Sequence, residues 1–142
     1  MREILFRGKA INRNKNRSYR TNYKNGDWVY GLLTRHKDKW FCAEMTNTDG
    51  VSGIDIEEET LGQFTGKKDK FGKKIFEGDI VEGKISSAWA TQTIRCVVKY
   101  INDGFYTEEH HDSGRLYVHK LMFSKNIEVI GNIYDNPDLL SN

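Results

Sequence analysis

Apolar residues in this chain fall into short runs rich in β-branched and aromatic side chains, separated by polar clusters of glycine and asparagine. With a single proline, this pattern predicts strands rather than helices. In "REILFR", Ile4 and Phe6 share one face with Leu5 opposite, as in a short strand. "INRNKNRSYRTNYKNG" has no apolar period and reads as a loop or long hairpin tip. "DWVYGLL" and "KWFCAEM" form a hairpin joined by "TRHKDK"; "TNTDGVSG" turns the chain, and "IDIEEE" is a strand running into an acidic patch. "TIRCVVKY" and "GFYTEE" flank "INDG", where Asp103-Gly104 is expected to supply the positive φ of a tight turn. "RLYV" and "IEVIGNIY" are the last strands, and the near-continuous apolar character of the second predicts a central position. In "DNPDLL", Asn136 is read as the cap and Pro137 as the first residue of a terminal helical turn.

The segment "TGKKDKFGKKIFEGDIV" places Lys67, Lys68, Lys70, Lys73 and Lys74 within eight positions bracketed by glycines. A Walker-type loop, G-x-x-x-x-G-K-[ST], curls backbone N–H groups around phosphate oxygens and uses its hydroxyl on magnesium. Here five residues rather than four separate Gly66 from Gly72, and Lys74 stands where the hydroxyl is needed. The residues that follow alternate in polarity and include Gly78, instead of opening a long helix. The segment is therefore read as two short strands, "GQFTG" and "KIFEGDIV", with "KKDKFG" reversing the chain and Gly72 free to take positive φ. Lysines on such a turn discourage edge-to-edge aggregation.

A chain of 142 residues is one domain in size, and its 12% aromatic content is enough for a compact core despite a mean hydropathy of −0.69. No run approaches the roughly 18 apolar residues of a membrane span, and "MREILFRGKA" lacks the apolar block of an export signal. Cys42 and Cys96 are then expected to be reduced core residues of a soluble, intracellular protein. The net charge of +2 is unevenly spread. Residues 1–24 hold eight basic residues against Glu3 alone, a balance of +7, leaving −5 for the other 118. Such an arm can meet nucleic acid, or it can simply stay solvated; only Tyr19 and Tyr23 are available in it for stacking.

Candidate chemistry is sparse. "EEHHD" (Glu108 to Asp112) and His119 gather acids and imidazoles, but neighbouring histidines on a strand face opposite ways and no cysteine is close, so the segment is read as a solvated loop. Glu57, Glu58 and Glu59 read as a solvated strand end, and Asp79 as the acceptor of a local turn. Ser86, Ser87 and Ser113 lack a nucleophile elbow. No catalytic residue, metal ligand, cofactor or small-molecule substrate is expected. Trp28 and Trp40 are expected in the core. Trp89 stands alone in the polar stretch "KISSAWATQT", between two predicted strands.

Three blocks carry a resemblance to a known family: "REILFRGK" with "GDWVYG", then "TLGQFTGKKDKFGKKIFEGDIV", then "IEVIGNIYDNP". In this order they resemble the YopX family, encoded largely by bacteriophages and prophages. Departures are Phe71-Gly72 where members often carry Asn-Gly, Phe64 where they often carry Tyr, and a longer, more basic segment from Asn12 to Asn25. The resemblance implies an undefined biochemical activity, self-association, a place in the cytoplasm of a bacterial host, and an SH3-like small barrel in the carboxy-terminal part. In that barrel "KISSAWATQT" is expected to be a loop, where Trp89 either anchors a partner or covers the open end.

Together these readings give a mainly β protein, a single domain over 1–142, with an amino-terminal β-hairpin subregion over about 1–60 and an SH3-like barrel over about 61–135. The function expected is that of a non-enzymatic phage or prophage accessory protein, a binding module that contacts a protein partner or its own copies through Phe71 and Trp89. The rival is nucleic-acid binding through Arg13, Lys15, Arg17 and Arg20, helped by the five lysines of the central turn. No membrane partner is expected.

Overall fold

The computed structural model of the chain describes residues 2–11, 24–46, 50–110, 116–120 and 126–141. Among them are eleven strands, two short 3-10 turns and no α-helix, so the protein is mainly β, as its apolar runs predict. The strands form two compact units, Met1–Phe64 and Thr65–Asn142.

The first unit is an antiparallel meander. Strands β1 (Phe6–Lys9), β2 (Trp28–His36), β3 (Lys39–Thr46) and β4 (Gly50–Asp55) lie in the order β4-β3-β2-β1. The opening residues of β5 (Gly62–Lys68) pair with β1 through Phe6↔Gln63 and Arg7↔Gly62. The β2–β3 hairpin closes on only two residues, Lys37 and Asp38, with φ of 47° and 63°. Such a left-handed pair follows the twist of the strands, so the pairing reaches through most of "TRHKDK". The exposed ion pair from Arg35 Nη2 to Asp38 Oδ1, 3.2 Å, spans that turn. Ala10, Val29, Cys42, Ile54 and Ile56 form the core, with Leu33, Trp40 and Leu61 packed against it. Gly8 admits this packing: a Cβ there would come within 2.7 Å of Ile56 Cδ1. The strand predicted over "REILFR" accordingly starts later and runs through this glycine. Trp28 is half-buried, with the Arg7 guanidinium 4.5 Å and the Lys9 ammonium 5.5 Å from its ring.

In the second unit β5 continues into a hairpin with β6 (Lys74–Phe76). A five-stranded antiparallel sheet follows, built from β7 (Asp79–Ser86), β8 (Thr91–Ile101), β9 (Gly104–His110), β10 (Leu116–Lys120) and β11 (Glu128–Asn132). Its order is β10-β9-β8-β7-β11. One face carries a core of Ile75, Val81, Cys96, Val98, Ile127 and Val129, while Ile80 and Val97 on the opposite face are buried as well. Fully burying a side chain of this size contributes about 1.5–3 kcal/mol.

Several sequence expectations are corrected here. Neither sheet closes into a barrel among the described residues: β10 and β11 end the strand order and do not pair, so the SH3-like closure expected over 61–135 is not what the pairing gives. β11 lies at an edge, not in the centre. "KIFEGDIV" is two strands, broken where Gly78 takes φ +88° and its N–H donates to Val98 O (2.8 Å). Asp79 holds that break as the turn acceptor expected, its Oδ2 receiving the Phe76 N–H at 2.8 Å. In "INDG" the positive φ belongs to Asn102 (53°), not to Gly104, which already pairs with Ile101. The terminal turn is a 3-10 turn, Pro137–Leu140, with proline at its start. Asn136 makes no cap bond; its Oδ1 instead accepts the Asn132 N–H at 3.3 Å.

Candidate functional site

The stretch from Lys67 to Lys74 reverses the chain, and its organiser is Asp69, the one acid within it. Asp69-Lys70-Phe71-Gly72 follows the rule for a tight turn, aspartate first and glycine fourth. The Gly72 N–H donates to Asp69 O (3.0 Å), Gly72 takes the expected positive φ (+82°), and the Asp69 N–H donates to Lys73 O (2.8 Å). The Asp69 carboxylate is buried beneath the turn. Its Oδ1 accepts the N–H groups of Phe71 and Lys73, both at 2.9 Å, and its Oδ2 accepts the Val129 N–H at 3.1 Å. Burial pushes the Asp69 pKa up, but the donors from Val129, Lys73 and Phe71, with the Lys73 charge, outweigh it and hold the pKa below its ordinary value. The Lys70 N–H donates to Ile127 O at 3.0 Å. One main-chain donor and one carboxylate therefore occupy the outer edge of β11 where a further strand would pair. This explains how an edge strand can be so apolar: its open side is already covered.

The turn leaves its cations outward. Lys67, Lys68, Lys70 and Lys73 are exposed and Lys74 is half-buried. Lys70 Nζ lies 3.4 Å from Glu128 Oε2 and 5.1 Å from the centre of the Phe71 ring. Phe71 itself is 74% exposed and does not fold back onto the protein.

The second feature, among the described residues, is a two-stranded ribbon. β7 and β8 stay paired as far as Ser86↔Thr91, but β11 accompanies β7 only through Glu82, and β9 accompanies β8 only from Cys96. The polar stretch expected to be a loop is thus mostly strand, with Ser86 Oγ and Thr91 Oγ1 3.2 Å apart across the ribbon. Only residues 87–90 form the tip. There the Ser87 N–H donates to Ala90 O (2.8 Å), and Ser87 Oγ accepts the N–H groups of Ala90 (3.2 Å) and Trp89 (3.4 Å). Trp89 stands out from this tip 96% exposed, so it covers no barrel opening.

The pairing register brings these two features to one end of the sheet. Lys70 bonds to Ile127, the residue before β11, which begins at Glu128 opposite Glu82 of β7. The lysine turn is therefore level with the root of the ribbon near Gly83, and β7 runs on from there for three residues, about 10 Å, before the tip. From Gly83 to Ile94 the ribbon contains no acidic residue and one base, Lys84. Phe71, Trp89 and the lysines, separate candidates in the sequence, share one cationic end.

Other candidate residues are placed as follows. Arg13, Lys15, Arg17 and Arg20 lie outside the described residues, as do His111 and Asp112. Glu108 of "EEHHD" is buried in β9 and its Oε1 bonds to Lys99 Nζ at 2.7 Å. Register sets His110 against Leu116 and His119 against Thr107, so the two histidine positions are not opposite one another. Among the described residues no group of three or more His, Cys, Asp and Glu side chains is arranged to hold a metal ion. Cys42 and Cys96 are free and buried, and burial pushes each thiol up to about 11. Glu57, Glu58 and Glu59 are exposed at the first 3-10 turn. Among the described residues no helix is long and apolar enough to cross a membrane.

Comparison with known proteins agrees with the resemblance carried by the three sequence blocks. The family model for YopX protein matches residues 6–141, nearly the whole chain. The chain belongs to the YopX family. The crystal structure of protein EF1440 from Enterococcus faecalis is similar in fold, with a TM-score of 0.52 and 24% sequence identity, covering 97% of this chain and 98% of that one. No curated protein matches.

Proposed function

We propose that this chain is a non-enzymatic binding module that engages nucleic acid through the cationic end of its second unit, in the phage or prophage setting that the family resemblance implies. The observation that carries the reading is the register: it sets the lysine turn, fixed around Asp69, beside the root of the ribbon that bears Trp89. Phosphates are met by lysines held outward on a braced turn, whose one acid is buried and consumed by three N–H donors. A protein partner anchored on Trp89 is the second reading, favoured by that side chain's exposure. It ranks second because lysine is depleted at protein interfaces and this end is dense in it.

The test is fluorescence anisotropy with labelled DNA and RNA across about 50 to 200 mM salt. Affinity should fall steeply with salt, and replacing Lys67, Lys68 and Lys73 by glutamine should flatten the log–log slope by about two for a single strand. A flat titration, or no binding at the lowest salt, overturns the reading in favour of the protein partner.

A further inference from the structure

We infer that this end of the protein takes single-stranded rather than duplex nucleic acid, with the Trp89 indole as the surface on which a base stacks. The inference rests on the nucleic-acid reading above and names the form of the ligand. Its first support is the state of the two aromatic rings. Among the described residues no ring, cation or hydrogen-bonding side chain engages the Trp89 indole, while the tip beneath it is fixed by the Ser87 bonds. A flat, preoriented aromatic surface open to solvent is what an unpaired base stacks upon, and every base has a π-face to offer. Phe71 supplies a second exposed ring at the root of the ribbon, with the Lys70 ammonium 5.1 Å from its centre.

The second support is the distribution of charge between the rings. Lys67, Lys68 and Lys73 stand exposed on the turn that is level with the root, Lys84 lies on the ribbon, and no acid lies from Gly83 to Ile94; Glu82 and Glu128, at the root itself, are paired with Arg95 and Lys70. A phosphate backbone passing the turn meets cations there, while its bases reach Phe71 and then Trp89. In a duplex the base faces are already stacked on one another, so an aromatic at a ribbon tip could reach them only by wedging a base step open, at a cost of a few kcal/mol. A single strand offers the same faces without that cost.

The experiment compares a labelled dT 20-mer with a 20-base-pair duplex at low salt, using the full chain, Trp89→Ala and Phe71→Ala. Wild-type protein should bind the single strand at least tenfold more tightly, with loss of tryptophan emission on binding. Trp89→Ala should weaken single-strand binding by roughly five- to 150-fold and abolish that quenching, since Trp28 and Trp40 are half-buried elsewhere. Its thermal unfolding should match wild type, because the side chain is 96% exposed, so a loss of binding is not a loss of fold. Equal or tighter binding of duplex, or quenching that persists in Trp89→Ala, overturns the single-strand inference and leaves the nucleic-acid reading standing. Failure to bind either DNA overturns both.

Discussion

Replacing Asp69 by alanine tests whether the lysine turn is built around its carboxylate. The substitution removes the acceptor of three N–H groups, those of Phe71, Lys73 and Val129. A hydrogen bond to a charged group is worth about 1.5–3 kcal/mol, but the three losses do not add, because water can reach the turn once it opens. The Val129 N–H differs: it sits in a buried residue at the sheet edge, and leaving it without an acceptor costs about 1–3 kcal/mol. The Lys70–Ile127 bond and the turn's own bonds depend on the same anchor, so the whole effect should be about 2–4 kcal/mol in the second unit. Urea unfolding followed by circular dichroism measures it, and amide hydrogen exchange at Val129 locates it. A change below about 0.5 kcal/mol, the range of an ordinary surface substitution, would refute the anchoring role.

The same residue gives the reasoning a pH signature. Asp69 holds its proton less tightly folded than unfolded, so its stabilisation is present above the unfolded carboxylate value near 3.8. It is lost as pH falls below that value and through the lower folded one. Asp69→Asn should therefore lose stability at neutral pH yet show a shallower decline than wild type between about pH 5 and pH 3. Parallel declines would mean that the carboxylate is not held below its ordinary pKa.

Two further outcomes check the packing. Gly131→Ala should destabilise the second unit by about 1–3 kcal/mol in urea unfolding, since a Cβ there would lie 2.6 Å from Asn136 Oδ1 and 2.9 Å from Leu139 Cδ1. Wild-type stability would show that the carboxy-terminal turn yields freely. With both thiols buried and raised to about 11, a disulfide reagent at pH 8 should leave Cys42 and Cys96 unmodified in native protein and label both in urea, and fast native labelling would contradict their place in the two cores.

Much of the local structure was legible in the chain. The runs around Val29, Cys42, Ile80 and Val97 show their strands because burial on a pleated surface selects β-branched and apolar residues, a preference that acts residue by residue. Gly72 and Asp79 were also readable, since the turns they serve are closed by atoms within a few positions. Even Asp69 left a signal, aspartate three residues before glycine, although it was masked by the lysines on either side. The two larger failures depended on partners distant in sequence. "IEVIGNIY" resembles a central strand because its outer edge is buried, yet the burying groups come from Asp69 and Lys70, some sixty positions away. The stretch around Trp89 looks like a loop because its residues are polar, but pairing between β7 and β8 makes most of it a ribbon.

By itself the sequence determined that the protein is mainly β, that its lysine-rich segment turns the chain instead of cradling a nucleotide, and, through three ordered blocks, that it belongs with the YopX family. Those features depend on local sterics, short-range hydrogen bonds and the order of motifs, all of which are written in neighbouring residues. Only the tertiary structure decided that, among the described residues, the sheets stay open and β11 is an edge, and that the lysine turn and Trp89 share one end. Register and edge pairing join residues far apart in the chain, and no local preference encodes which edge a given turn will cover.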